Sequence, residues 1–360
     1  WNQVCYGGLT LGALAVADTD PEPARQLLLS ARKGIVHGLG TYAPDGLYPE
    51  GPGYWSYGTT YQCLMIDALR SALGTSWDME KSPGFLDSGA AQVHLTGPSG
   101  RFFNFFDGGA GPALQPARVW FARELKDPGL LRYQRPPREK MLAGKKPTGR
   151  ILVLTALWWD GLPEASQPPG LPLAWQAGGE NPVAIFRSSW LDPDALYLAC
   201  KGGRADLSHA HMDAGSFILE ADGVRWAVDL GNQSYHSLES KGIRLWDDAQ
   251  NGQRWSVYRL NNRSHNTLTI NDQLHRVDGS AAMTQFSPEV AAFDLSPVFA
   301  GAAASVRREF QVEGRKVTIL DELGGLEAGA TARWTMVTRA DVSGGGQHAI
   351  LRQDGKTLHA

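Results

Sequence analysis

The chain is poor in several features that would commit it to a special class. It has only three cysteines, Cys5, Cys63 and Cys200, odd in number and widely spaced. They form neither a disulfide framework nor a C-x-x-C pair, so buried free thiols are expected and the redox compartment stays open. No apolar run approaches the roughly 20 residues of a membrane helix, which excludes membrane insertion by that route. No excess of positive charge exists: 34 Lys and Arg face 37 Asp and Glu, for a net charge of −3. That balance argues against a nucleic-acid partner. Internal repeats and low-complexity tracts are also missing. The segment Ala143-Gly-Lys-Lys-Pro-Thr-Gly lacks the spacing of a phosphate loop, so nucleotide binding is not expected. The sequence opens at Trp1 without Met or a signal-like stretch. We expect a mature or partial chain beginning inside a larger fold.

What is present is an ordered globular composition, 42% hydrophobic and 20% charged, with 42 glycines and 21 prolines over 360 residues. This length fits two domains. Over residues 1–162 the apolar period is helical. Asp20-Pro21 reads as a helix start, followed by Ala24, Leu27, Leu28, Ala31, Ile35 and Leu39 at helical spacing. A further helix carries Tyr61, Leu64, Met65, Ala68, Leu69, Ala72 and Leu73 and stops at Gly74. Pro112 to Lys126 and Arg150 to Trp159 also read as helices, and such successive helices suggest stacked hairpins. Residues 163–175 form a proline-rich linker. From 176 to 360 the period becomes two, with strand-like runs at Val183, Ala195, Phe217, Val224, Thr267, Arg307 and Lys316. Turn dipeptides such as Asp222-Gly223 point to an antiparallel sandwich.

The most concentrated chemistry lies in Ser208-His209-Ala210-His211-Met212-Asp213-Ala214-Gly215-Ser216-Phe217. If Asp222-Gly223 is a two-residue turn, Ala221 pairs with Val224 and the register returns Asp229 opposite Ser216. His265, in Arg263-Ser264-His265-Asn266-Thr267, begins another strand. Zinc favours neutral imidazole with carboxylate in tetrahedral sites, so His211, Asp229 and His265 are candidate ligands with one position open. The competing reading is a set of separate loop histidines with polar partners. A metallohydrolase built on H-x-H would need a barrel, for which this chain has no pattern.

A second motif, Glu50-Gly51-Pro52-Gly53-Tyr54-Trp55-Ser56-Tyr57, precedes a helix. Its aromatics either staple a glycine-rich loop or present a phenol that moves a proton. Phenol has a pKa near 10 and needs a cationic neighbourhood to act as a base. The run Arg132, Arg135, Arg138, Lys140, Lys145, Lys146 and Arg150 is read as a solvated connection rather than a polyanion groove. Trp158, Trp159 and Trp246 are read as packing residues before sugar platforms.

Taken together, Asp45-Gly-Leu-Tyr-Pro-Glu-Gly-Pro-Gly-Tyr-Trp-Ser-Tyr and His209-Ala-His-Met-Asp-Ala-Gly-Ser-Phe resemble the heparinase II/III family of polysaccharide lyases. That family includes lyases for heparin, heparan sulfate and alginate, and is related to dermatan sulfate epimerases. Trp1-Asn2-Gln3-Val4-Cys5 and Arg263-Ser-His-Asn-Thr resemble family segments as well. The resemblance implies an α+β multidomain fold: an (α/α) toroid, incomplete at its N-terminus, followed by an antiparallel β-sandwich. It implies β-elimination at a uronic acid, with Tyr54 as base and acid and Tyr57 as the competing phenol. His209 would help neutralise the substrate carboxylate or assist in proton transfer, Asn2 would be a second neutraliser, and Glu50, Tyr235 and Arg263 would line the substrate. One zinc ion on His211, Asp229 and His265 would be structural. The implied partner is an acidic polysaccharide, a glycosaminoglycan or alginate-like polymer, met in the periplasm or outside the cell. Rival readings are a uronyl C5-epimerase on the same scaffold, a non-catalytic glycan-binding protein, and zinc-assisted hydrolysis. Neither the particular glycan, the endo or exo mode, nor the oligomeric state is legible.

Overall fold

A computed structural model describes residues 1–144, 152–163 and 170–360. Lys145, Lys146 and Arg150 of the basic run, most of the Ala143–Gly149 motif, and residues 164–169 of the linker lie outside the described residues. The chain divides into two compact units, Trp1–Val93 with Pro112–Leu171, and His94–Gly111 with Pro172–Ala360.

The first unit is helical. Its helices are α1 (Asn2–Ala15), α2 (Pro21–Leu39), α3 (Gly51–Leu73), α4 (Ser88–His94, whose last residue falls in the second unit), α5 (Pro116–Glu124), α6 (Arg135–Leu142) and α7 (Leu152–Trp159). Proline opens α2, and Gly74 ends α3 in the left-handed conformation at φ +68°, as those residue types prescribe. Helix α1 packs on α2 and α3, while α5 packs on α3 and α7. The α1–α2 approach is close enough that a Cβ on Gly34 would stand 2.2 Å from the Tyr6 ring. Asp67 on α3 accepts the indole N–H of Trp120 on α5 and of Trp158 on α7, both at 2.8 Å. Trp158 is therefore a packing residue. Arg70 on α3 adds a two-pronged bond to Glu124 on α5 at 2.8 and 2.9 Å. Two residues of the basic run are engaged locally: Arg135 pairs with Glu139 at 2.7 Å, and Arg138 lies 4.6 Å over Trp159.

The second unit is built on antiparallel strands. In chain order they are β1 (Ala174–Ala177), β2 (Val183–Arg187), β3 (Tyr197–Lys201), β4 (Gly203–Arg204), β5 (Phe217–Ala221), β6 (Val224–Ala227), β7 (Leu268–Ile270) and β8 (Ser280–Phe286). Then follow β9 (Val290–Asp294), β10 (Ser305–Glu313), β11 (Lys316–Gly324), β12 (Ala332–Trp334), β13 (Asp341–Gly345), β14 (His348–Gln353) and β15 (Lys356–His359). A short helix, α8 (Tyr235–Glu239), lies between β6 and β7. One sheet has the order β1-β2-β3-β5-β6 and another β11-β10-β9-β8-β4. Phe186, Leu198, Phe217 and Trp226 from the first share one apolar core with Phe293, Val306 and Phe310 from the second.

The residues of β2, β3, β5 and β6 are buried on both faces. Arg187, Tyr197, Glu220 and Arg225 stand in register across the four strands. Each binds the segment 94–111. Arg187 donates to the Thr96 carbonyl at 2.5 Å, and the Tyr197 hydroxyl to His94 at 2.9 Å. Glu220 accepts the Ser99 N–H at 3.0 Å, and Arg225 donates to the Phe102 carbonyl at 2.8 Å. A buried polar row of this kind needs partners, and residues 94–111 supply them. The helical period places these residues in a helical domain spanning 1–162; the polar row draws them into the sheet unit instead. Strand β1 likewise begins at Ala174, inside the stretch read as linker. The Asp222-Gly223 turn has positive φ at both residues, +57° and +74°, and pairs Ala221 with Val224 as expected. A bulge between Leu219 and Glu220 then shifts the register, so Leu219 faces Ala227. Asp229 lies past the strand end and is not set opposite Ser216 by that ladder.

Candidate functional site

The histidine motif forms the loop between β4 and β5, and its geometry is organised by a residue the sequence reading missed. Asp107 follows the aromatic run Phe102-Phe103-Asn104-Phe105-Phe106. Phe106 and His209 both have left-handed backbone, φ +59° and +60°, a costly conformation for such side chains that clusters at functional sites. The two turns are tied by the Asp107 N–H, which donates to the His209 carbonyl at 3.2 Å. The Tyr235 hydroxyl, from the first turn of α8, donates to Asp107 Oδ2 at 2.9 Å and lies 3.0 Å from His209 Nδ1. His211 Nε2 lies 3.0 Å from Asp107 Oδ1. Arg254 donates to Asp107 Oδ2 at 3.3 Å and to the Ala210 carbonyl at 2.7 Å.

His209 Nδ1 also lies 3.4 Å from Asp107 Oδ2. A tyrosine hydroxyl has one proton; with it on Asp107, the phenol oxygen can accept from His209 Nδ1–H. Burial alone would raise the Asp107 carboxyl. The hydrogen bonds from both histidines and the charges of His211 and Arg254 outweigh it and hold the group far below the usual carboxylate range. Asp107 is thus a fixed anion beneath His209 and Tyr235. The two rings are parallel within 4°, and Trp246 stands edge-on to both.

The candidate zinc residues lie one step deeper. His265 Nδ1 stands 2.8 Å from Asp229 Oδ2, whose other oxygen accepts the Gly231 N–H at 2.7 Å. The rings of His211 and His265 are 5.2 Å apart. Burial opposes protonation of both histidines. It dominates at His211, whose pKa falls, whereas the charge and bond of Asp229 raise that of His265. His211 Nδ1 and His265 Nε2 are buried without a hydrogen-bond partner. Two such imidazole nitrogens beside a carboxylate have the donor chemistry zinc prefers. Among the described residues, no three His, Cys, Asp or Glu side chains are arranged as a ligand set, and Asp229 is engaged by His265. Below them, fully buried Lys201 pairs with Asp213 of the motif at 2.5 Å and anchors the loop to β3.

The remaining candidates are placed as follows. Tyr54 and Tyr57 do not sit in a loop: Gly51, at φ +85°, and Pro52 start α3, so both phenols belong to its first two turns. Three residues apart, they share one helical face. Tyr57 is exposed, edge-on to Trp1 and Tyr61; Tyr54 is half-buried; Glu50 is the residue before the helix. The Asn2 amide donates to the Gly34 carbonyl at 2.9 Å. His209, His211, Asp229, Tyr235 and His265 are gathered around Asp107. Arg263 is not; it pairs with Asp272 at 3.1 Å and lines a cavity of about 400 Å³ with Gln250, Asn251 and Arg276. Asp107, Asp213 and Arg254 were missed. The one available signal was the polar turn Asp107-Gly108-Gly109 closing an aromatic run.

Residues 183–359 match the family model described as heparinase II/III-like, C-terminal. That match bears out, for this part of the chain, the family resemblance read from the motifs. The solved heparan sulfate lyase of Pedobacter heparinus is 16% identical with a TM-score of 0.62; the match covers 98% of this chain and 51% of that one. A heparinase III structure is 13% identical with a TM-score of 0.66, over 98% of this chain and 56% of its own. Another heparinase III gives 15% and 0.59, over 96% and 49%. At these identities the likeness is one of fold. The chain spans about half the length of these structures. Among curated proteins no sequence matches. Among the described residues, no helix is long and apolar enough to cross a membrane.

Proposed function

We propose that this chain is part of a polysaccharide lyase that cleaves a uronic-acid-containing glycan by β-elimination. The observation that carries the reading is the Asp107–Tyr235–His209 network, whose Tyr235 and His209 lie in the segment matching the heparinase II/III-like model. The C5 proton, α to the uronate carboxylate, is removed. Its electron pair forms the C4–C5 double bond, and the 4-O-linked sugar leaves with a proton. Tyr54 is assigned as the base and then the acid, with Tyr57 as the alternative phenol. His209 donates through Nε2 to the carboxylate as enolate charge develops, the step at which electrostatic stabilisation matters most. Asp107 orients the imidazole and holds Tyr235 against it. Asn2 would serve as a second donor on leaving Gly34, and Glu50 and Arg263 as more distant substrate contacts.

A zinc ion on His211, Asp229 and His265 would cross-link the motif loop to the strands behind it and act as structural support. The helical unit is read as part of an (α/α) toroid and the sheet unit as a β-sandwich. An acidic polymer of this kind is met outside the cytoplasm, so the proposed location is periplasmic or secreted.

Incubation with heparan sulfate, chondroitin and dermatan sulfates, hyaluronan and alginate, followed by ultraviolet absorbance, tests the proposal. Growth of the unsaturated-uronate chromophore on one polymer, lost in Tyr54→Phe and His209→Ala, is the expected result. No chromophore, with solvent deuterium entering C5, would replace the lyase by an epimerase.

A further inference from the structure

Trp246 is the residue the proposed activity leaves unexplained. The sequence reading assigned it to packing, yet its side chain is 54% exposed. Exposed tryptophans occur singly on many surfaces without meaning, but this one differs in its neighbours and in how it is held. Its ring meets His209 at 5.5 Å and Tyr235 at 5.2 Å, edge to face in both cases. The Arg254 guanidinium, which also holds Asp107, lies 6.0 Å from its centroid.

The loop carrying it is not loose. Leu245, immediately before, is buried at 1% exposure. The Asp247 carbonyl, immediately after, accepts the Arg254 N–H at 3.1 Å. The Trp255 indole donates to the carbonyls of Asp248 and Ala249 at 3.2 and 2.9 Å. Gly252 packs so closely that a Cβ there would stand 2.0 Å from the Asp247 oxygen. A large apolar ring is thus fixed half in water beside the histidine and tyrosine of the site. A rigid aromatic loses little freedom on binding, and ligand sites combine apolar ring surfaces with a few directional polar groups.

We infer that Trp246 is a sugar-stacking platform, binding the apolar face of a pyranose unit of the glycan next to the residue that reaches His209. This rests on the glycan-lyase reading for the identity of the ligand, while the stacking itself is measurable without catalysis. The platform supplies affinity and register and takes no part in proton transfer.

The test uses Trp246→Ala and Trp246→Phe in the full chain, with thermal melts by circular dichroism to establish that each folds. Binding of heparan sulfate and alginate oligosaccharides is measured by calorimetry, and kcat and KM on whichever polymer yields the chromophore. Trp246→Ala should weaken oligosaccharide binding and raise KM about tenfold, the order expected for one lost contact surface, with kcat within about twofold. Trp246→Phe should restore most of the affinity. Unchanged binding in a folded Trp246→Ala protein overturns the platform, as does a fall in kcat with KM unchanged. If no polymer is cleaved, the lyase reading fails by itself. The platform then stands if oligosaccharides bind the parent chain and not Trp246→Ala, and falls if they bind both alike or neither.

Discussion

Asp107 and His211 lie 104 residues apart in sequence and 3.0 Å apart in space. The contact joins the aromatic-rich turn of residues 102–107 to the centre of the histidine motif within the sheet unit. Through the other oxygen of the same carboxylate, Tyr235 and Arg254 are drawn in. One buried anion thereby orients two histidines, a phenol and a guanidinium, a charged network whose members depend on one another.

Asp107→Asn should therefore cost activity more than stability. The amide retains the size and one acceptor, but loses the negative charge that faces His209, His211 and Arg254. Loss of a group that orients a catalytic residue typically costs 10–100-fold by analogy with outer-shell partners. We expect kcat to fall by about 100-fold while the melting profile stays cooperative. A kcat within twofold of the parent would show that the network is only structural.

The Lys201–Asp213 pair gives the opposite expectation. Both side chains are essentially inaccessible, and removing one partner leaves an uncompensated buried charge. Lys201→Met should destabilise by about 3–5 kcal/mol. Adding Asp213→Leu should return much of that loss, because burying neither charge avoids the desolvation cost. Urea titrations of the two single and the double variants measure the coupling; additive losses would contradict it.

His94 predicts how stability responds to acid. It is buried, stacked on Trp175 at 4.8 Å and near Arg187, and burial first, with the arginine charge second, pushes its pKa down to about 3. Between the ordinary histidine value near 6.5 and about 3, the unfolded chain binds a proton that the folded chain does not. Stability is unaffected by this group above the upper limit and falls as pH drops through the window. His94→Gln should lessen the loss between neutral pH and pH 4 by on the order of 3 kcal/mol. Equal pH slopes for both proteins in urea titrations would refute this.

For the proposed zinc, plasma emission analysis of the purified chain should find about one ion per chain, reduced in His211→Ala and in His265→Ala. Chelation should lower the melting temperature. Recovery of both metal and melting temperature on adding zinc back is the expected control. Full metal content in both variants would place the ion elsewhere.

Much of the architecture was legible because it is written in local patterns. The Asp20-Pro21 helix start, the Gly74 stop and the Asp222-Gly223 turn each depend on the dihedral freedom of one or two residues. The histidine motif was legible for a similar reason, since H-x-H with a following glycine is chemically dense over a short span. Tyr54 and Tyr57 stand on a helix instead of the expected loop because Pro52 favours the first helical turn despite the glycines around it.

The sequence by itself determined most of the helix and strand segments and singled out the His209–His211 segment as the densest chemistry. The tertiary structure alone decided that residues 94–111 join the sheet unit and that Asp107 is the centre of the site. It also decided that Arg263 faces Asp272 and that Trp246 stands in water. The physical reason is that these outcomes are set by satisfying buried polar groups. The partner that satisfies Arg225, Glu220 or His211 comes from a segment about a hundred residues away, and no local period records that pairing.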